Sequence, residues 1–281
     1  MKATFYYISL SALILMLAYS CKTEKKSNTP NDIVYDSISI AKIYHLENDS
    51  TRPSCSLKID YLYPTEYSDK QILTKIQQIL NLVAMEDEKY EQLPPVDAIN
   101  EYVEDYINNY KREAKEQFPN WKASGDSEDY YSYYKTLDSK ILFDMGGLLS
   151  YQVSSMDYKG GANSSTAFRN VVIDLKTGEM ITEQDIFMSD YKSELNSMII
   201  KNIIEQNKVQ KAEDLIEFGY WGIEDLTSNS NFSVDDRGLT YVFNPGEYSA
   251  PSLGAINIFL TYEEIINILK SESPISILSG K

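Results

Sequence analysis

The chain has 281 residues, 43% of them hydrophobic, with 26 Lys and Arg against 42 Asp and Glu for a formal charge of −16. Such a field repels nucleic acid and anionic membrane surfaces and favours basic partners. One histidine and two cysteines fall short of the usual zinc ligand sets, so no metal and no cofactor is expected.

The first segment, residues 1–20, reads as a secretion signal. It has one early cation, Lys2, and an apolar core from Ile8 to Leu17, about half of the ~20 residues a spanning helix needs. Leu17-Ala18-Tyr19-Ser20-Cys21 resembles a bacterial lipobox of the looser kind familiar in Bacteroidota lipoproteins, with Ala18 in the place leucine most often holds. The resemblance implies a diacylglyceryl group on the Cys21 thiol and a membrane held through that lipid anchor. Removal of Lys2 with the signal leaves 25 cations against 42 anions. With Cys21 acylated, Cys55 is the only other cysteine and no intramolecular disulfide forms. Residues 21–32 contain the polar run "KTEKKSNTPND" and read as a flexible tether. The expected location is the bacterial cell envelope, as a lipoprotein of the outer membrane on either its periplasmic or its surface face.

Structure is expected from Ile33. "IVYDSISIAKIYH" and "CSLKIDYLY" alternate as strands, and the turn-rich "ENDSTRPS" joins them into a hairpin. Ser68 with Gln71 forms a capping-box signature before Ile72, Leu73, Ile76, Ile79, Leu80 and Val83 at helical spacing. After Pro94-Pro95, Ile99, Val103 and Ile107 make the stripe of a second helix, with Tyr102, Tyr106 and Tyr110 beside it. Ser139–Tyr158 alternates again, with Ser165–Leu175 as its antiparallel partner and Gly160-Gly161 in the turn between. "KTGEMI" is a second tight turn. Asp190–Asn207 has helical spacing, and a shorter acidic helix is expected at Lys211–Phe218. Strands resume around the Asp236-Arg237-Gly238 turn and end with Ala255–Leu260; Thr261 and Glu264 then cap a helix carrying Ile265, Ile266, Ile268 and Leu269. This order predicts an α+β fold, antiparallel sheets with packed helices, in two small subdomains at 33–155 and 156–270, with a tail at 271–281.

The chemistry is sparse, and no catalytic residue is assigned. His45, at a strand end, has no triad partners nearby, and neither "GGANS" nor "GGLLS" has the Gly-x-Ser-x-Gly spacing. Neither glycine pair precedes Gly-Lys-Ser/Thr, so a phosphate cradle has no support. "DSEDYYSYYKTLD" lacks the alternation and central glycine of an EF-hand. The many carboxylates leave a glycosidase pair open without selecting one. Among 23 tyrosines, Tyr102, Tyr106 and Tyr110 read as packing, whereas Tyr130, Tyr131, Tyr133 and Tyr134 fall in a polar stretch and are candidates for stacking on a sugar or a partner.

Tyr158, Gly160, Gly161 and Ala162, then Asp174, Leu175, Thr177 and Gly178, then Asp185 and Phe187, form one block of a recognisable pattern. Phe243, Pro245, Tyr248, Gly254, Tyr262 and Glu264 form a second block in the right order. On these residues the chain resembles the paired extracytoplasmic domains of unknown function in the lysozyme-sensing anti-sigma factor RsiV and in the peptidoglycan deacetylase PdaC. "LKIDYLYP", with Tyr63-Pro64, resembles the partner domain. Asn163 and Ser164 stand where the family usually has His-Gly, so that histidine's role is absent. No anti-sigma segment precedes the signal and no deacetylase domain follows in this sequence, so neither signalling nor deacetylation is expected. The resemblance implies a lipid-anchored envelope binding protein, not an enzyme, whose ligand is a lysozyme-like basic protein or a cell-wall glycan. Its ligand-binding candidates are Tyr158, Gly160, Gly161, Asn163, Ser164 and Tyr248. The alternatives are a carboxylate-based glycan hydrolase and a structural component of an envelope assembly.

Overall fold

A computed structural model describes residues 29–117, 131–160 and 163–279. The signal, Cys21 with its lipobox, most of the tether, Tyr130, Gly161 and Ala162 lie outside the described residues.

The architecture is α+β. Strands β1 (Val34–His45), β2 (Ser54–Glu66), β3 (Tyr133–Met145), β4 (Leu148–Lys159), β5 (Ser165–Asp174) and β6 (Glu179–Met180) form one sheet in sequence order. All neighbours are antiparallel except β2 and β3, which run parallel. A parallel pair needs a long crossover, and helices α1 (Lys70–Met85) and α2 (Pro95–Gln117) supply it.

Both helices lie on one face of the sheet because their apolar residues recur at helical spacing. Helix α1 buries Ile76, Leu80 and Ala84, and α2 buries Ile99, Val103, Ile107 and Tyr110. Opposite them, Cys55, Leu57, Ile59 and Tyr61 alternate along β2, and Tyr151 and Val153 do so on β4. Each fully buried aliphatic side chain contributes about 1.5–3 kcal/mol. Asn81 is fully buried in this core and fully used: it accepts from the Tyr61 hydroxyl at 2.8 Å and donates to the carbonyls of Tyr90 and Leu93.

A second sheet, β7 (Phe232–Val234), β8 (Gly238–Phe243) and β9 (Ile256–Thr261), is wholly antiparallel. It packs with α3 (Glu183–Ile186), α4 (Lys192–Asn207) and α5 (Tyr262–Ile265) around a separate core that includes Leu195, Ile199, Ile203, Tyr241 and Ile258. The first sheet also contributes to this second core. In β3 the pairing with β4 shifts between Ile141 and Phe143, so Leu142 is an extra residue. Ile141 packs on the helix side, but Phe143, two positions later, joins the second core. A bulge reverses the facing of every residue beyond it. The predicted boundary at 155/156 falls inside β4, and β5 continues the same sheet.

Four local expectations need correction. The cap of α1 is Asp69, not Ser68: its carboxylate accepts from the amides of Gln71 and Ile72, at 2.8 and 3.2 Å. Aspartate one residue later is placed to meet the second and third amides of the helix. Ser139–Tyr158 is not one strand but the ends of β3 and β4, folded at Gly146-Gly147, whose φ angles are 65° and 82°. Only glycine takes such values at two successive positions at little cost. Tyr133 and Tyr134 begin β3 and are not in a loop; Tyr133 is buried. Thr261 and Glu264 do form a reciprocal capping box, but the helix they open ends at Ile265, and Leu269 instead bridges to Phe187.

Candidate functional site

Five of the tyrosines pair with carboxylates. Tyr35 donates to Asp144, Tyr90 to Asp105, Tyr106 to Asp157, Tyr133 to Glu113 and Tyr191 to Glu183, at 2.6–3.0 Å. Burial raises each of these phenols and the carboxylate beside it raises it further; Tyr90 and Tyr191 are pushed up to about 12. They therefore stay protonated as donors, supplying neutral partners for an acidic chain short of cations. These five rings are structural, which leaves a smaller set for recognition.

The sequence candidates divide between the two sheets. Tyr158 lies on β4 directly opposite Tyr134 of β3, at one end of the large sheet and on the face turned away from the helices. Gly160 follows with φ 81°, and Asn163 and Ser164 are exposed just before β5. Gly161 lies outside the described residues. Tyr248 belongs to the second unit. Its ring meets Phe243 edge-on at 5.6 Å, and its hydroxyl accepts from the Thr227 amide at 3.3 Å.

Beside Tyr248, two segments lie against each other. The Trp221 amide donates to the Tyr248 carbonyl, the Ala250 amide donates to the Gly219 carbonyl, and Tyr220 bridges to Ser249. Together these segments expose Ile216 (65%), Phe218 (52%), Trp221 (45%) and Leu253 (49%). Glu213, Glu217, Glu224 and Asp225 flank them in the chain, all exposed; Glu213 lies 4.0 Å from the Lys211 ammonium, and no Lys or Arg occurs between Lys211 and Arg237. An aromatic and aliphatic centre with a one-signed acidic rim has the anatomy of a protein-binding surface. Of this patch, only Tyr248 was visible from the sequence. The acidic stretch reads as an amphipathic helix, but its fold is a 3-10 segment, Ala212–Phe218, that buries Leu215 and leaves Ile216 and Phe218 outside.

A second concavity lies between the sheets, with a cavity volume of 410 Å³. Lys140, Leu142, Gln152 and Phe168 come from the large sheet, and Asp235, Thr240, Val242 and Asn257 from the small one. Asp235 is the one carboxylate lining it among the described residues, and it is engaged by the Arg237 guanidinium at 2.6 Å. Two asparagines fix the mutual position of the walls. Asn231 donates to the carbonyls of Phe168 and Val242 and accepts from the Asn170 amide, at 2.8–2.9 Å. Asn244 accepts from the Phe168 amide at 2.6 Å. Their side chains thus occupy the free edge of β5 as a neighbouring strand would.

Two packed α+β units, one built on a crossover sheet and one on a three-stranded meander, define a protein of paired α+β domains. The comparisons agree unit by unit. Residues 49–166 match the family model described as "Deacetylase PdaC", and residues 184–263 match that of the "Protein of unknown function (DUF3298)". The chain is similar to a crystal structure of a DUF3298-family member from Bacteroides fragilis, at 25% identity and a TM-score of 0.84, over 90% of this chain and 100% of that one. A DUF3298-family protein from Pseudomonas aeruginosa shares the fold, at 14% identity and a TM-score of 0.57, over 84% of this chain and 95% of that one. No curated protein matches the chain. The two family models thus match, in chain order, the paired domains that the sequence motifs indicate, PdaC first and DUF3298 second. Among the described residues, no helix is long and apolar enough to cross a membrane.

Proposed function

We propose that this is a lipid-anchored binding protein of the bacterial cell envelope that captures a basic protein without catalysis, lysozyme-like proteins being the candidate class. The observation that carries this reading is the patch of Ile216, Phe218, Trp221 and Leu253 within an acidic rim. Desolvated aromatic residues at the centre of such a surface supply most of the affinity, and rim charges raise the on-rate for an oppositely charged partner. Tyr248 supports the patch from below through the Trp221 amide. Titration of the protein with lysozyme, the cationic probe, is expected to give binding that weakens as salt rises from about 0.01 to 0.15 M, where the screening length contracts from about 30 to 8 Å. Trp221→Ala is expected to cost at least about 2 kcal/mol, roughly 30-fold in Kd. Absence of binding at low salt would overturn this reading.

The second reading is a cell-wall glycan in the groove between the sheets, favoured by the mixed amide, hydroxyl and aromatic lining of Gln152, Asn257, Thr240 and Phe168. The name of the matched PdaC model points the same way. Phe168→Ala is then expected to weaken binding of soluble peptidoglycan fragments while leaving the lysozyme titration unchanged. A hydrolase would need a second carboxylate across the groove from Asp235.

Anchoring is tested separately. Cys21→Ala is expected to move the protein from the membrane to the soluble fraction after cell disruption; continued membrane retention would sink the acylation proposal.

A further inference from the structure

The two edges of the large sheet are treated differently. On the β5 side, β6 and the side chains of Asn231 and Asn244 occupy the edge. On the β1 side, twelve residues, Val34–His45, pair with β2 alone among the described residues. The strand contains no proline and no glycine, and its one register shift lies at its first residue. A long edge with no proline and no bulge between Tyr35 and His45 is a template for another strand whose charges complement Asp36 and Lys42.

The sequence of this edge is complementary to itself. Folded antiparallel about Ser39, "VYDSISIAKIY" sets Asp36 opposite Lys42, Ser37 opposite Ala41, Ile38 opposite Ile40 and Val34 opposite Tyr44. Pairing with β2 fixes which face each residue takes. Asp36, Ile38, Ile40, Lys42 and Tyr44 stand beside Tyr63, Tyr61, Ile59, Leu57 and Cys55, all of them residues of the helix-side core. The pairs Asp36/Lys42, Ser37/Ala41 and Ile38/Ile40 therefore each lie on one face, as antiparallel pairing requires, while Val34 lies beyond the register shift. Ile38 and Ile40 already pack at the rim of that core, and a second copy would extend it across the two-fold axis.

A second observation marks the same edge. Between β1 and α2 lies a groove of 310 Å³, lined by Lys42, Tyr44, Ile107 and Lys111 among others. In this register a second copy brings its Val34, 50% exposed, opposite Tyr44 and its Asp36 opposite Lys42. Lys42 makes no salt bridge among the described residues, and the Lys111 ammonium sits 4.6 Å over the Tyr44 ring. We propose that the occupant of this edge is a second copy of the chain, joined β1 to β1 in an isologous dimer with one continuous twelve-stranded sheet.

Sedimentation velocity of the purified full chain is expected to show a concentration-dependent dimer. Lys42→Glu and Asp36→Lys should each weaken it at least tenfold by opposing like charges, and the double variant Asp36→Lys/Lys42→Glu should return it to within about threefold of the unsubstituted chain. Ser39→Cys reads the register directly: residue 39 meets its own copy at the two-fold axis, so oxidation should link two chains, which the unsubstituted chain, with Cys55 buried, does not do there. A monomer at all concentrations together with unlinked Ser39→Cys would overturn the proposal. So would a dimer that survives both single charge reversals.

Discussion

Gly238→Ala is expected to destabilise the second unit by roughly 3 kcal/mol, the upper part of the range for forcing a group into a packed site. Gly238 opens β8 opposite Thr261 of β9. A Cβ there would sit 2.1 Å from the Leu260 carbonyl oxygen and 3.0 Å from both the Leu260 carbonyl carbon and the Thr261 Cα. These are backbone atoms of the partner strand, so relief requires the strands to part. The amide of Asp235 donates to the Gly238 carbonyl and the amide of Tyr262 to that of Arg237, so the β7–β8 turn and the start of α5 move with it. Thermal unfolding followed by circular dichroism should show a Tm of the second unit lower by about 12–24 °C, as expected for a unit of about 100 residues. Gly178→Ala is the useful contrast. Its φ is 72°, but the nearest atom to an added Cβ is the flexible Lys75 Cδ at 3.0 Å, so the cost is the left-handed backbone, about 1 kcal/mol. Equal Tm shifts for the two variants would refute the close-approach account.

Asn231→Ala is expected to cost about 1–3 kcal/mol, the cost of an unsatisfied partly buried donor, and to loosen the junction between the sheets. It removes the acceptor of the Asn170 amide and one of two donors to each of the Phe168 and Val242 carbonyls, which keep the amides of the Asn244 and Asn229 side chains at 3.2 and 2.9 Å. Native-state hydrogen exchange should quicken at the Asn170 amide. Asn231→Asp separates the two roles: it keeps an acceptor for Asn170 but sets a carboxylate oxygen against two carbonyls. The aspartate variant should therefore be at least as unstable as the alanine one while keeping Asn170 protected. Identical exchange at Asn170 in both variants would remove the edge-occupying role assigned to this side chain. Because the groove walls are joined here, glycan binding should fall in both variants.

Much of the fold was legible locally. Period-two alternation located β1 and β2, helical spacing located α1, α2 and α4, and the Asp236-Arg237-Gly238 and Lys176-Thr177-Gly178 turns stand where glycine permits them. The motifs around Tyr158 and Tyr248 pointed to the paired domains that both family models match. Where local reading failed, a long-range contact had intervened. Tyr133 looked like part of a polar stretch because its neighbours are polar, yet pairing beside Cys55 on β2 buries it. Ile265–Leu269 has helical spacing, but pairing of Leu269 with Phe187 ends the helix.

Composition determined the acidic field, and local sequence determined the order of most strands and helices, since each depends on residue identity or on neighbours a few positions away. Tertiary structure alone decided the parallel β2–β3 pairing through the α1–α2 crossover, the bulge at Leu142 that sends Phe143 into the second core, and the asparagines on the β5 edge. It also decided which apolar residues are left outside. Leu253 lies far along the chain from Ile216, Phe218 and Trp221, and only the docking of Gly219 on Ala250 brings it to them. A surface is a sum over segments that meet only after folding, and no local period in the chain encodes it.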